Sequence, residues 1–315
     1  MAIFDKEITR KNVPVTPEVS NEIIQELPHA SVVLERARRV RMAKGKYEQP
    51  VLATLPEAQW ISPTEPHKQT TDAAWENLTL TAAELAVLVP IADDLLDDSD
   101  INIWAEIKPR LVEAFAKKID QAAIFGIEKP TAWPEAIVPA AVKAGNKVAR
   151  GKADLGVDVA DVAKKVAQGG FSVNGFAAQP GVNWELIGTR DTNGQPIYHP
   201  AIAQGQPNTL YGYPLNEVTS GAWDATQATL LAADWDKFVV GVRQDMTFKL
   251  STDATIRDAS GQIGTSAFQD DKTILRAVMR IGFAVANPVT GMQSDAAKRY
   301  PAGVVVPATT GSRTA

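Results

Sequence analysis

The sequence predicts an elongated α+β protein, on three observations. Near the C-terminus, Thr273 to Val285 alternates without a break: Leu275, Ala277, Met279, Ile281, Phe283 and Val285 lie on one face, with Ile274, Arg276, Val278, Arg280, Gly282 and Ala284 on the other. A helical period also finds apolar matches in this run, but Gly282, the β-branched residues on both faces and the stop at Asn287-Pro288 favour a strand. At ~3.3 Å per residue it is about 40 Å long, roughly twice the usual strand. The second observation is a helix over Asp100–Phe125, in which Ile103, Ile107, Leu111, Phe115, Ile119 and Ala123 recur at every fourth position. At 1.5 Å per residue it is about 38 Å long, so strand and helix match in length. The third is a proline-marked hairpin over residues 46–76, whose apolar bulk has no local core to enter.

The 315 residues, 45% hydrophobic and 22% charged, are enough for two domains. A formal net charge of −5 argues against strong nucleic-acid binding by the whole chain. With no cysteine there is no disulfide, thiolate metal site or cysteine nucleophile. The opening Met1–Lys6 has no apolar signal core, and no run approaches ~18 apolar residues, so a soluble, unsecreted protein without a membrane partner is expected.

Residues 1–17 read as an extended arm, followed by a short helix with Val19, Ile23 and Leu27 on one face and Pro28 at its end. Next come six cations in eleven residues: Arg36, Arg38, Arg39, Arg41, Lys44 and Lys46. No aromatic residues alternate with them as single-strand nucleic-acid binders require, which favours a solvated or subunit-facing surface. In the hairpin, Pro50, Pro56, Pro63 and Pro66 exclude a central strand, while Trp60 and Ile61 call for a partner surface. A strand over Leu85–Ile91 precedes the acids Asp93, Asp94, Asp97, Asp98 and Asp100. Asp93, Asp94 and Asp97 formally match an Asp-Asp-x-x-Asp magnesium motif, which would make the chain a magnesium-dependent enzyme. The plainer reading is that these acids complement a helix N-terminus.

Ser99 or Asp100 is the expected cap of the long helix, Gly126 its stop and Pro109 a kink or split; Glu106, Arg110, Glu113, Lys117 and Asp120 lie on the face opposite the apolar stripe. Residues 127–156 read as a crossover and Val157–Gln168 as a helix ended by Gly169-Gly170. Residues 130–265 then form a mixed domain inserted before the final long strand, with a short strand at Val304–Val306. No catalytic residues emerge: His29, His67 and His199 are isolated, there is no nucleophile elbow, phosphate loop or dinucleotide fingerprint, and no metal or other cofactor is called for.

Several stretches in order carry a resemblance: Asp72–Glu76, Val87–Ser99, Ile119–Gly126, Leu210–Leu215, Asp234-Trp235-Asp236 before Val239–Asp245, and Arg280–Pro288. Over about residues 18–290 the chain resembles major capsid proteins of tailed bacteriophages, with the Hong Kong 97-like fold. The resemblance implies an N-terminal arm (1–43), an extended loop (44–76), a discontinuous peripheral domain with spine helix and long strand (77–129 and 266–306), an axial α+β domain (130–265) and a flexible tail (307–315). It implies a structural, non-enzymatic protein of the virion, assembled in the bacterial host cytoplasm. Its hexamers and pentamers would close into an icosahedral shell around double-stranded DNA, without sequence-specific contacts. Scaffolding, portal and cement or decoration proteins are the implied partners; a separate scaffold and a processed N-terminus both stay open. The fold also serves encapsulins, shells that enclose enzymes, which is the alternative reading. The subunit-interface candidates are Arg38, Arg39, Arg41, Lys44, Trp60, Ile61 and Lys68. Founding relatives crosslink a loop Lys to an Asn with the help of a Glu. Here no Glu follows Glu217, and Asn287 is the one Asn after Asn216, so a shell without covalent crosslinks is expected.

Overall fold

The computed structural model describes residues 31–56, 74–94, 103–151, 154–189, 198, 208–258 and 260–308. In chain order these form α1 (Val32–Arg36), β1 (Arg38–Arg41), β2 (Lys46–Leu52), β3 (Trp75–Thr81), β4 (Ala83–Ala92), α2 (Ile103–Asp120), a π-turn (Gln121–Phe125), α3 (Ile137–Lys143), β5 (Lys147–Ala149) and α4 (Leu155–Gln168). There follow β6 (Gly175–Ala178), α5 (Val182–Gly188), β7 (Thr209–Leu210), β8 (Tyr213–Glu217), β9 (Leu230–Ala233), β10 (Phe238–Ser251), β11 (Thr255–Arg257), β12 (Ile263–Ser266), β13 (Lys272–Val285) and β14 (Ala302–Val306).

The long strand is β13, and its two faces are the two that alternation assigns. Leu275, Ala277, Met279, Ile281 and Phe283 join one core with Leu111, Val112, Phe115, Ala116 and Ile119 of α2. β13 lies between β4 and β10 in a four-stranded sheet of order β1-β10-β13-β4. β10 runs antiparallel to it from Phe238↔Val285 to Ser251↔Ile274, with register shifts between Val242 and Thr247. Such bulges add twist to a long ribbon.

The spine helix runs unbroken from Ile103 to Asp120 with Pro109 inside it, so the expected split does not occur; its expected cap, Ser99 or Asp100, lies outside the described residues. The helix does not stop at Asp120. It widens into the π-turn, which buries Ala122, Ala123, Ile124 and Phe125. Gly126 ends the turn at φ 79°, donating its N–H to Gln121 O. A side chain there would be strained and 3.3 Å from the Ala136 Cβ.

The second sheet has six strands, in the order β5-β14-β9-β6-β8-β7. Val159, Val162 and Val166 of α4 are fully buried beside it. Gly303 of β14 admits that helix, because a Cβ there would lie 2.7 Å from Val162 Cγ1. Two strands fall on the other sheet from the one their sequence neighbours suggest. β10, read with the inserted 130–265 segment, pairs along its length with β13, while β14, read with 266–306, pairs with β9 and β5. Hydrogen-bonded pairing between distant segments, rather than chain proximity, decides both.

Candidate subunit interface

The described residues begin at Ser31, and the basic run follows. Ser31 caps α1, its hydroxyl accepting from Leu34 N–H at 3.2 Å. Val32, Val33 and Leu34 are buried in the core shared with the spine helix. Asp120 holds this segment in place. Its carboxylate accepts from Ser31 Oγ at 2.6 Å and from the Val32 and Val33 N–H groups at 3.2 Å each. Burial pushes the Asp120 carboxyl up from its ordinary 3.8 to about 6, against the opposite pull of the Ser31 hydroxyl and the two N–H groups. Asp120, on the face opposite the apolar stripe, is nevertheless fully buried.

Beyond α1 the chain becomes an edge strand. β1 runs parallel to β10, Arg38 opposite Val239 and Arg41 opposite Val242. The side chains of Arg38, Arg39, Arg41 and Lys44 are exposed. Arg39 Nε donates to Leu34 O at 2.8 Å, and Arg41 lies 3.6 Å from Asp245. Charged side chains on an exposed edge discourage indiscriminate strand addition. Arg36 points elsewhere, donating to Asn216 Oδ1 of β8 at 2.6 Å and so linking the arm to the six-stranded sheet.

The hairpin is β2 paired with β3, Lys46 opposite Thr81 and Leu52 opposite Trp75. Pro50 sits in this two-stranded stalk, which has no central strand to disrupt. The base of the stalk rests on the sheet face away from the helix, where Met42 and Leu80 cluster with Val239 and Ala284. Two glycines paired across the strands, Gly241 and Gly282, make the space. A Cβ on Gly241 would lie 2.4 Å from Met42 Sδ, and one on Gly282 would lie 3.1 Å from Thr81 O. Further out the stalk is solvated, and Trp75 is 68% exposed. The arginines and Lys44 stand together on and just after β1; Trp60, Ile61 and Lys68 lie outside the described residues.

Two features escaped the sequence reading. One is the Asp120 anchor, which follows no local motif. The other is a second two-stranded ribbon, β11 with β12, inserted between the ends of β10 and β13. The turn signal Asp258-x-Ser260-Gly261 could have located it: Asp258 Oδ1 accepts from Ser260 N–H, Ser260 Oγ and Gln262 N–H.

The acidic cluster does not gather into a described cation site. Asp93 Oδ1 accepts from Thr273 Oγ1 at 2.7 Å, which ties β4 to β13, and Asp97 lies outside the described residues. Among the described residues no group of three or more His, Asp or Glu could hold a metal ion, and no helix is long and apolar enough to cross a membrane.

Comparison with known proteins agrees with this architecture. The major capsid protein of Staphylococcus phage 80alpha is 25% identical over 282 residues, covering 88% of this chain and 83% of the relative. A solved structure from Mycobacterium phage Cain superposes with a TM-score of 0.79 at 32% identity, covering 90% of this chain and 92% of that one. Another, from Microbacterium phage Oxtober96, gives 0.77 at 30% identity, covering 96% and 95%. The family described as the phage capsid family matches residues 11–290. The long helix α2, the long strand β13 and the β2–β3 stalk thus stand in a chain that belongs to the phage capsid family.

Proposed function

We infer that this chain is the major capsid protein of a tailed phage, the repeating subunit of an icosahedral virion shell. The observation that carries this reading is the match to the phage capsid family over residues 11–290, joined to a hairpin stalk seated at its base and solvated beyond it. A stalk with Trp75 exposed is built to bury apolar surface on something other than its own subunit. Contacts that join unlike surfaces of identical copies close into rings, and rings of five and six close a shell.

Within that reading, the four-stranded sheet and spine helix form the peripheral domain, now including β1 and β10. The six-stranded sheet with α3, α4 and α5 forms the axial domain, now including β14. Arg38, Arg39, Arg41, Lys44, Trp60, Ile61 and Lys68 serve contacts between subunits. The shell encloses double-stranded DNA and assembles in the host cytoplasm, where scaffolding, portal and cement or decoration proteins are its candidate partners. A net charge of −5 suits a container that does not grip its genome. No observation favours the encapsulin or magnesium-enzyme readings. Sedimentation of the purified protein tests the proposal: closed particles far heavier than the 33.8 kDa subunit are expected, and a monomer or small oligomer at all concentrations would overturn it.

A further inference from the structure

The long sheet has two unlike ends. At one end β1 lines the edge with Arg38, Arg39 and Arg41, all exposed, and Lys44 follows. The Arg38 side chain makes no hydrogen bond or ion pair with the described residues, and Arg41 reaches Asp245 only at 3.6 Å with its side chain 90% exposed. At the other end β10 and β13 continue into the ribbon. Residues 251–271 hold four aspartates, Asp253, Asp258, Asp270 and Asp271, against the single Arg257, a net charge of −3.

Asp258 is committed to its own turn, and Asp270 accepts from Ser266 N–H at 3.0 Å. The carboxylates of Asp253 and Asp271 are exposed and make no hydrogen bond or ion pair with the described residues. Beside them stand Phe268, 77% exposed, and Ile263, 64% exposed. A ribbon with two solvated large apolar side chains and unpaired carboxylates is half of a contact.

We propose that the acidic ribbon of one copy docks against the arginine-lined edge strand β1 of a second copy. This names the partner of the basic run and rests on the shell-building reading above. A subunit cannot make the contact with itself: β1 ends opposite Val242 and the ribbon leaves β10 after Ser251, about 30 Å further along the strand. The two surfaces differ, so the contact is head to tail, the kind that propagates from copy to copy. Opposite charge sets its register and speeds encounter, and Phe268 and Ile263 supply apolar surface once the ends meet.

Charge exchange tests it on the full-length protein, with assembly followed by light scattering. Arg38→Glu and Asp253→Lys should each slow assembly at least tenfold at low salt, and the two combined should recover to within threefold of the parent. Circular dichroism checks that each variant is folded. Normal assembly by either single variant, or a double variant as impaired as the worse single one, would overturn the proposal. A second measurement covers variants that fold poorly. Because the chain has no cysteine, Arg38→Cys with Asp253→Cys creates one reactive pair, and a short bis-maleimide should give a ladder of multimers from assembled particles. Absence of the ladder from particles that do form contradicts the ribbon contact alone, whereas absence of particles from the parent protein contradicts the shell-building reading.

Discussion

Ser31 donates its hydroxyl to Asp120 across 89 positions of sequence, at 2.6 Å, in a site with no solvent exposure at either residue. The same carboxylate holds the Val32 and Val33 N–H groups, so one side chain adds three polar contacts to the apolar packing of this segment on the helix. Asp120→Ala leaves two backbone donors and a hydroxyl without their acceptor and should cost roughly 3 kcal/mol. Denaturant unfolding of the subunit measures this, and limited trypsin digestion should cut faster at Arg36 and Arg38.

The pH dependence follows from the raised carboxyl. The folded value of about 6 lies above the ordinary 3.8, so between them the folded state holds the proton more often. The contribution of Asp120 to stability is therefore full below pH ~4 and declines as pH rises through ~6. Asp120→Asn removes that titration. Relative to its value at pH 4, the stability of the variant should improve against the parent by pH 7; a constant difference across this range contradicts the burial account.

Much of the fold is legible because burial on two faces leaves a pattern. β13 alternates since its odd residues meet α2, and α2 repeats every fourth residue for the same reason. Asp120 is illegible because an acid at a polar helical position looks solvated until the arm is placed over it. The membership of β10 and β14 depends on partners that lie far away in sequence, such as Val285 opposite Phe238. Of the candidate interface, the arginines are visible as a charge run, whereas the separate ribbon between β10 and β13 carries only a turn signal.

The glycine pair under the hairpin gives a prediction about packing. Gly241 and Gly282 are restricted by space and not by backbone angle, since neither has a positive φ. Gly241→Ala pushes on Met42, a flexible side chain, whereas Gly282→Ala meets the Thr81 backbone. Each should destabilise by about 1–3 kcal/mol. Met42→Ala combined with Gly241→Ala should show coupling of roughly 1 kcal/mol in a double-mutant cycle, because the first vacates the space the second needs. Additive effects would show that Met42 does not fill that notch.

The basic run should make assembly sensitive to salt. Exposed charges about a Debye length apart are screened near 0.15 M ionic strength, so raising the salt weakens contacts that depend on them. Replacing Arg38, Arg39 and Arg41 by Ala should slow assembly without unfolding the subunit and should flatten its dependence on ionic strength. Unchanged rates across ionic strengths would remove the cations from the assembly mechanism.

The shell should carry no covalent crosslinks. The Asn287 amide is occupied within its own chain, Nδ2 donating to Arg299 O at 3.0 Å and to Ala296 O at 3.3 Å. No Glu follows Glu217 to take up a lysine proton, and a lysine near its normal pKa of ~10.4 is protonated and inert. Boiled particles on a denaturing gel should give one band near 33.8 kDa, and a ladder of multiples would contradict this.

The hairpin of residues 44–76 is expected to lie on a neighbouring subunit, and this contact to build the shell. Electron cryomicroscopy of particles assembled from the full-length chain, beside a variant lacking Glu57–Lys68, measures it directly. Closed icosahedral shells in which each hairpin crosses onto an adjacent copy are expected, with a folded deletion variant that forms none. Hairpins folded back on their own subunits, or normal shells from the deletion variant, would contradict it.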